Sequence, residues 1–214
     1  DSILNGELAY ETRQRLGAEV YREHPVDADI VIGIPDSSTP HAVGLAAAAK
    51  IPYAEAIIRN RYVGRTFIQP DQRSREEGVQ TKFNPMRAVI EGKRLLVVDD
   101  SIVRSTTITR VIKMLRRAGA KEIHVRVASP PIKSTCHFGV DMATLGELIA
   151  ANKTIGEITE YIGADSLAYL SVKGLLKAVR APDNSYCTGC FTGNYPIPVQ
   201  LEMNKMSFEV AQKP

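Results

Sequence analysis

Between Arg94 and Thr107 the chain reads RLLVVDDSIVRSTT, and its polar residues are of the types that a phosphorylated, polyhydroxylated ligand requires. Ionised carboxylates only accept hydrogen bonds, so Asp99 and Asp100 suit sugar hydroxyls or a hard cation such as Mg²⁺. Ser101, Ser105, Thr106 and Thr107 add hydroxyl donors for phosphate oxygens. Ser101–Ser105 forms a short polar loop between the acids and the threonine pair.

Such groups need elements to hold them. Leu95–Val98 is a continuous apolar run, as expected of a strand buried on both faces. From Thr106 a helical period opens, with Ile108, Val111, Ile112 and Leu115 on one face and Lys113, Arg116 and Arg117 off it. The first helical turn leaves N–H groups without partners and its dipole favours negative charge, so a phosphate fits there. Ligands of open parallel sheets gather at the carboxyl ends of strands, where this stretch lies. The same residues would serve as a helix N-cap beside two solvated acids. Ile30–Ile34 repeats the logic: an apolar strand runs into Pro35, Asp36, Ser37, Ser38, Thr39 and Pro40, then a helix over His41–Lys50. Two such sites in one sheet can hold two phosphate groups of one ligand. Taken alone, PDSST serves equally as a helix cap.

The remaining pattern is alternating. A helix is expected over 7–24, with Leu8, Thr12, Leu16 and Val20 in line, Arg13, Arg15 and Glu19 off it, and Pro25 as its stop. Strands are expected over Tyr53–Ile58, Ile123–Ala128 and Leu167–Leu170, and helices over Leu145–Asn152, Ile155–Ile162 and Val172–Val179. The alternation predicts an α/β fold, a parallel sheet with helices on both faces and right-handed crossovers. Arg59–Gln80 breaks the pattern with five arginines, Gly64, Pro70 and Gly78. A loop of about twenty residues is long enough to suggest function, and arginines suit pyrophosphate oxygens, so a solvated surface loop and a mobile lid are both open. One domain is expected over 1–180, with an irregular tail over 181–214 packing on it.

Composition narrows the class. A chain of 214 residues that is 44% hydrophobic can bury one α/β core. A net charge of +3 with few aromatics is too mild for a nucleic-acid surface. No window approaches the ~18 unbroken apolar residues of a membrane span, and DSILNGELAY is no signal peptide. Three cysteines are too few for a disulfide scaffold, which favours a reducing cytoplasm. His24, His41, His124 and His137 lack ligand spacing and are expected to be structural or surface residues. No G-x-S-x-G elbow supports serine hydrolysis.

VVDDSIVRSTT resembles the phosphoribosylpyrophosphate (PRPP) signature of type I phosphoribosyltransferases. With VIGIPDSS (31–38), NRYVGRTFIQP (60–70), SPPI (129–132), GADSLAYLS (163–171) and CTGCFTGNYP (187–196), nearly the whole chain is similar to the glutamine PRPP amidotransferases. NRYVGRTFIQP is the most diagnostic of these. The resemblance implies the type I phosphoribosyltransferase fold and a first purine-synthesis step making 5-phosphoribosylamine. It implies PRPP binding by Asp99, Asp100, Ser101, Ile102, Val103, Arg104, Ser105, Thr106 and Thr107, by Asp36, Ser37 and Ser38 on the pyrophosphate side, and by Arg59 and Lys82. Ser37, Asp99 and Asp100 would hold Mg²⁺. Residues 59–80 would be a lid that orders over PRPP and completes an ammonia passage, with Tyr62 and Arg65 in catalytic roles. Arg59 stands where the family commonly has lysine, keeping charge but not point geometry. Ser105 stands where the family usually has glycine; if that position needs positive φ, serine strains it by about 1–2 kcal/mol. Otherwise it adds a hydroxyl donor. A homo-oligomer is also implied, as is weak AMP or GMP binding at the 5′-phosphate loop in competition with PRPP.

Cys187 and Cys190 form a C-x-x-C and Cys136 stands alone. Structural zinc wants four ligands, and a C-x-x-C in an irregular tail is unlike a redox motif. The resemblance implies a [4Fe–4S] cluster at these three positions, its fourth ligand falling about ten residues upstream of residue 1, so the ligand set is incomplete; three free thiols are the plain alternative. The family also carries an N-terminal glutaminase domain opened by a catalytic cysteine. With no cysteine before 136, the expected reaction is direct: ammonia displaces pyrophosphate from PRPP. Such catalysis rests on holding phosphate and ribose and neutralising the leaving group, without an evident base. A rival reading is a PRPP- or nucleotide-sensing module that kept the pocket and lost turnover. A salvage enzyme is weaker, for want of a base-binding hood.

Overall fold

The computed structural model describes residues 2–60, 83–140, 144–180 and 185–199. Tyr62, Arg65 and Lys82 lie outside the described residues, as does the lid stretch beyond Asn60.

The chain opens with a hairpin: β1 (Ile3–Leu4) pairs antiparallel with β2 (Glu7–Leu8). Asn5 and Gly6 both take positive φ between them, as a tight two-residue hairpin turn demands. Residues 7 and 8 therefore belong to a strand, and α1 (Ala9–Glu23) starts later than its apolar period suggests. It ends two residues before Pro25, which disfavours helix in the residue ahead of it.

Four strands form the central sheet: β3 (Ile30–Gly33), β6 (Arg94–Asp99), β7 (Glu122–Val127) and β8 (Ser166–Tyr169). Their spatial order is β3-β6-β7-β8 and every pairing is parallel. Alternate residues of each strand face opposite sides. Leu95, Val97, Ile123 and Val125 pack with Ile108, Ile112, Leu115, Ile158 and Ile162 on one side. Leu96, Val98 and Val31 pack with Val20, Leu45 and Leu170 on the other. Two cores, one per face, account for the unbroken apolar run of Leu95–Val98.

The first face is covered by α4 (Thr106–Arg117) and α6 (Ile155–Ile162), with the single-turn α3 (Arg87–Ile90) at the edge. A short 3₁₀ turn (Leu145–Glu147) and α5 (Ile149–Asn152) replace the single helix expected over Leu145–Asn152; Thr144 and Glu147 close a capping box there. The second face is covered by α1, α2 (Thr39–Ala49) and α7 (Val172–Ala178). Helix α2 starts two residues ahead of His41, since Pro40 suits the first turn. Helices α1 and α2 touch backbone to backbone. A Cβ on Gly17 would sit 1.8 Å from the His41 carbonyl oxygen, and one on Gly44 2.0 Å from that of Gln14. Arg126, buried on β7, donates to the His24 carbonyl at the carboxyl end of α1 at 2.8 Å, where a cation opposes the helix dipole.

The strand expected over Tyr53–Ile58 is a correction. Tyr53 makes one isolated bridge to Val31, and only Ile57–Arg59 (β4) is extended and paired, antiparallel with β5 (Phe83–Pro85). The chain leaves the edge of the parallel sheet after a single rung and starts a separate ribbon. Near the far end, α8 (Gly189–Thr192) carries Cys190, whose carbonyl accepts from the Lys133 and Ser134 N–H groups. Tyr195 donates to the Thr135 carbonyl. No helix among the described residues is long and apolar enough to cross a membrane.

Candidate functional site

Strands β3 and β6 are neighbours, so the loops that follow them meet at the carboxyl edge of the sheet. The joint is Ser38. Its hydroxyl donates to Asp99 Oδ1 at 3.0 Å and accepts from the Asp100 N–H at 3.1 Å. The Asp100 N–H also reaches Asp99 Oδ1 at 2.9 Å. Ser38 has no exposed surface. It therefore acts on the acidic pair from behind, through the Asp99 carboxylate and the Asp100 N–H. The Pro35–Asp36 peptide in this loop is cis.

The two acids differ. Asp99, the last residue of β6, is buried; burial and the neighbouring Asp100 carboxylate push its pKa up to about 7. Asp100 is half-buried and accepts from the Ser101 hydroxyl at 3.4 Å. Tyr169 lies in the same row of the sheet as Asp99, through Val127 between them. Its hydroxyl is buried without a hydrogen-bond partner, and burial followed by the Asp99 charge raises its pKa.

Along the loop after β6, Ile102 is buried in the core and pins the turn, while the Val103 carbonyl accepts from Ile149 N–H at 3.0 Å. Neither offers its side chain to the cleft. Arg104 makes an ion pair with Glu147, Nε to Oε1 at 3.1 Å. Ser105 stands in the left-handed region with φ 62°, meeting the condition under which serine is strained there. Its hydroxyl donates to its neighbour's carbonyl, Arg104 O. No side chain caps α4. The N–H groups of its first turn and the exposed Thr106 and Thr107 hydroxyls are left for an anion.

A cleft of about 530 Å³ opens over these loops. Asp36, Ser37 and Arg59 line one side and Asp99, Asp100, Ser101 and Thr107 the other, with Ile34 and Phe83 between. Arg59 is ion-paired with Asp36 at 2.8 Å. Arg13, from α1, also lines the cleft; its place off the apolar line of that helix marked it only as solvent-facing, and nothing in the local sequence ties it to the loops. His41 is buried beneath, with Nδ1 unpartnered. Burial lowers its pKa to about 4, against the pull of Asp100.

Two groups implied for this chain can be tested against its residues. Mg²⁺ binds through one or two carboxylates together with substrate phosphates. Asp100 and Ser37, with Asp99 behind, offer hard oxygen donors in one cleft and fit that mode. A [4Fe–4S] cluster takes four thiolates. The chain has three cysteines, and among the described residues no group of three or more His, Cys, Asp or Glu side chains is arranged to hold a metal ion. All three thiols are free, and burial raises the Cys190 pKa, with the neighbouring Cys136 and Cys187 adding to the shift. Among the described residues the cysteines give no support for such a cluster.

Comparison with known proteins agrees with this geometry. The profile of the phosphoribosyl transferase domain family matches residues 1–130. Amidophosphoribosyltransferase of Synechococcus elongatus is 49% identical over 211 residues, covering 98% of this chain and 43% of the relative. That of Bacillus subtilis is 50% identical over 203 residues, 93% of this chain and 43% of the relative. The structure of glutamine PRPP amidotransferase from B. subtilis, complexed with ADP and GMP, superposes with a TM-score of 0.86 at 50% identity, over 94% of this chain and 45% of that one. The chain thus spans less than half the length of these relatives.

Proposed function

The chain belongs to the phosphoribosyl transferase domain family and has the type I phosphoribosyltransferase fold, and from that membership we propose that it transfers the phosphoribosyl group of PRPP to ammonia, as the first step of purine synthesis. The observation that carries this reading is the meeting of two strand-loop-helix units in one cleft, with Ser37 and Asp36 across from Asp100, Ser101 and Thr107.

In this reading the first turn of α4, with Ser101, Thr106 and Thr107, binds the 5′-phosphate, Asp100 accepts from a ribose hydroxyl, and the loop after β3 receives the pyrophosphate. Nitrogen attacks C1 as the bond from C1 to the pyrophosphate oxygen breaks, so positive charge develops on the ribose ring. In this reading the acidic pair stabilises that charge, and donors at the two ends stabilise the groups it separates. Mg²⁺, when bound, neutralises charge on the departing pyrophosphate. Residues 1–180 form the catalytic unit in this account and residues 181–214 a tail on it. The same proposal gives the lid role to residues 59–80, with Tyr62 and Arg65 in catalytic roles, and gives Lys82 a PRPP contact. A cytoplasmic homo-oligomer inhibited by purine nucleotides completes the reading.

One observation favours a second reading, a PRPP-sensing module with weak turnover: the positive φ of Ser105 strains the phosphate loop. One assay separates the two. Pyrophosphate release from PRPP with Mg²⁺ is measured with and without an ammonium salt. Release dependent on ammonium supports the transferase; tight PRPP binding with no release under either condition contradicts it and supports the sensor.

A further inference from the structure

Of the two guanidinium groups that line the cleft among the described residues, one is already taken. Arg59 is held by Asp36. Arg13 is exposed and makes no hydrogen bond or ion pair with any described residue, although it borders the same space as Pro35, Asp36 and Ser37. From this geometry we infer that Arg13 is a substrate-contacting residue that grips the pyrophosphate end of the substrate. The inference rests on the phosphoribosyl-transfer reading and adds to it a residue on an element, α1, that the phosphate loops do not include.

Three observations support it. The side is right: Arg13 borders Pro35, Asp36 and Ser37 in the cleft, and its charge also acts against protonation of His41 beneath that loop. The support is rigid. Gly17, one helical turn after Arg13, lies against the His41 backbone so closely that no Cβ fits, and Arg126 ties the far end of α1 to β7. A side chain carried on so fixed a helix keeps its reach toward the cleft. The chemistry matches as well, since a guanidinium fork meets two oxygens of a pyrophosphate at once, as a lysine cannot. The carboxylates of the cleft would repel a pyrophosphate, and Arg13 supplies the opposing charge without first having to leave a partner among the described residues.

The test uses the full 214-residue chain and calorimetric titration with Mg²⁺ present. Three probes are compared: pyrophosphate, PRPP and ribose 5-phosphate. For Arg13→Gln, affinity for pyrophosphate and PRPP is expected to fall about ten- to hundredfold, the range of a charge-assisted hydrogen bond. Ribose 5-phosphate, which lacks the pyrophosphate, should change by less than about twofold on the same scale. Arg13→Lys should fall between, keeping charge but losing the fork. Unchanged pyrophosphate affinity in Arg13→Gln overturns the assignment, and so does an equal loss for all three probes. If the unaltered chain binds none of the three, the phosphoribosyl-transfer reading itself falls. Melting temperatures of both variants should match the parent, because Arg13 is exposed and unpaired among the described residues; a lowered melt together with a general loss counts against the assignment.

Discussion

Ser38 and Asp99, 61 residues apart in sequence, share a buried hydrogen bond of 3.0 Å that ties the loop after β3 to the end of β6. Each loop alone has the composition of a helix cap. Joined, they make one cleft. Ser38→Ala leaves the buried Asp99 oxygen without that donor, and losing a partner of a buried polar group costs about 1–3 kcal/mol. Denaturant unfolding should show that loss, and PRPP affinity should fall with it. A variant as stable as the parent would show that the bond does not hold the loops.

Ser105→Gly should act in the opposite direction. With φ at 62°, serine pays a left-handed penalty that glycine lacks, on the order of 1–2 kcal/mol before glycine's own entropic cost is counted. The variant should unfold at higher denaturant and bind ribose 5-phosphate at least as tightly. Weaker binding would mean that the serine hydroxyl turns from Arg104 O to the ligand.

Gly17→Ala tests the frame behind the site. Its Cβ would lie 1.8 Å from the His41 carbonyl oxygen, so α1 and α2 must separate. Alanine's helix propensity returns about 1 kcal/mol, yet forced overpacking of this kind costs about 1–3 kcal/mol or more. A net loss of stability is expected in thermal melts, with weaker PRPP binding as the His41 end of α2 shifts. A variant that melts at or above the parent would contradict the close contact.

Two buried groups give the metal-free chain opposing responses to pH. His41 has its pKa lowered to about 4, so between there and its ordinary 6.5 the unfolded chain binds a proton that the folded chain refuses. Its contribution to stability falls as pH falls through that window. Asp99, raised from 3.8 to about 7, holds a proton that the unfolded chain releases, so its contribution rises as pH falls. Relative to the parent, His41→Asn should gain stability on acidification from pH 6.5 to 4, and Asp99→Asn should lose it. Melts across that range check the signs; equal signs would mean that one group is solvated.

How far the sequence alone reaches depends on what kind of signal each residue carries. Leu95–Val98 and the helix from Thr106 are legible because burial on two faces and a 3.6-residue period leave a repeating imprint. Asn5–Gly6 carried a hairpin signal that the apolar period running through Leu8 masked. Ser37 and Ser38 look alike in sequence, yet one lines the cleft and the other is buried behind it, because a loop has no period to assign its side chains to faces. Arg13 was out of reach for another reason: only the packing of α1 on α2 brings it over the strand tips. The cysteines were the reverse case: the family resemblance, not their spacing, implied a cluster, and the described residues offer no ligand set for one.

The most direct test of the central claim is the position of PRPP itself. In crystals of this chain soaked with Mg²⁺ and PRPP, the 5′-phosphate should lie against the N–H groups that open α4, within hydrogen-bond reach of Thr106 or Thr107, with a ribose hydroxyl on Asp100. A sugar bound away from the ends of β3 and β6, or a phosphate with no contact to residues 101–107, would contradict the account.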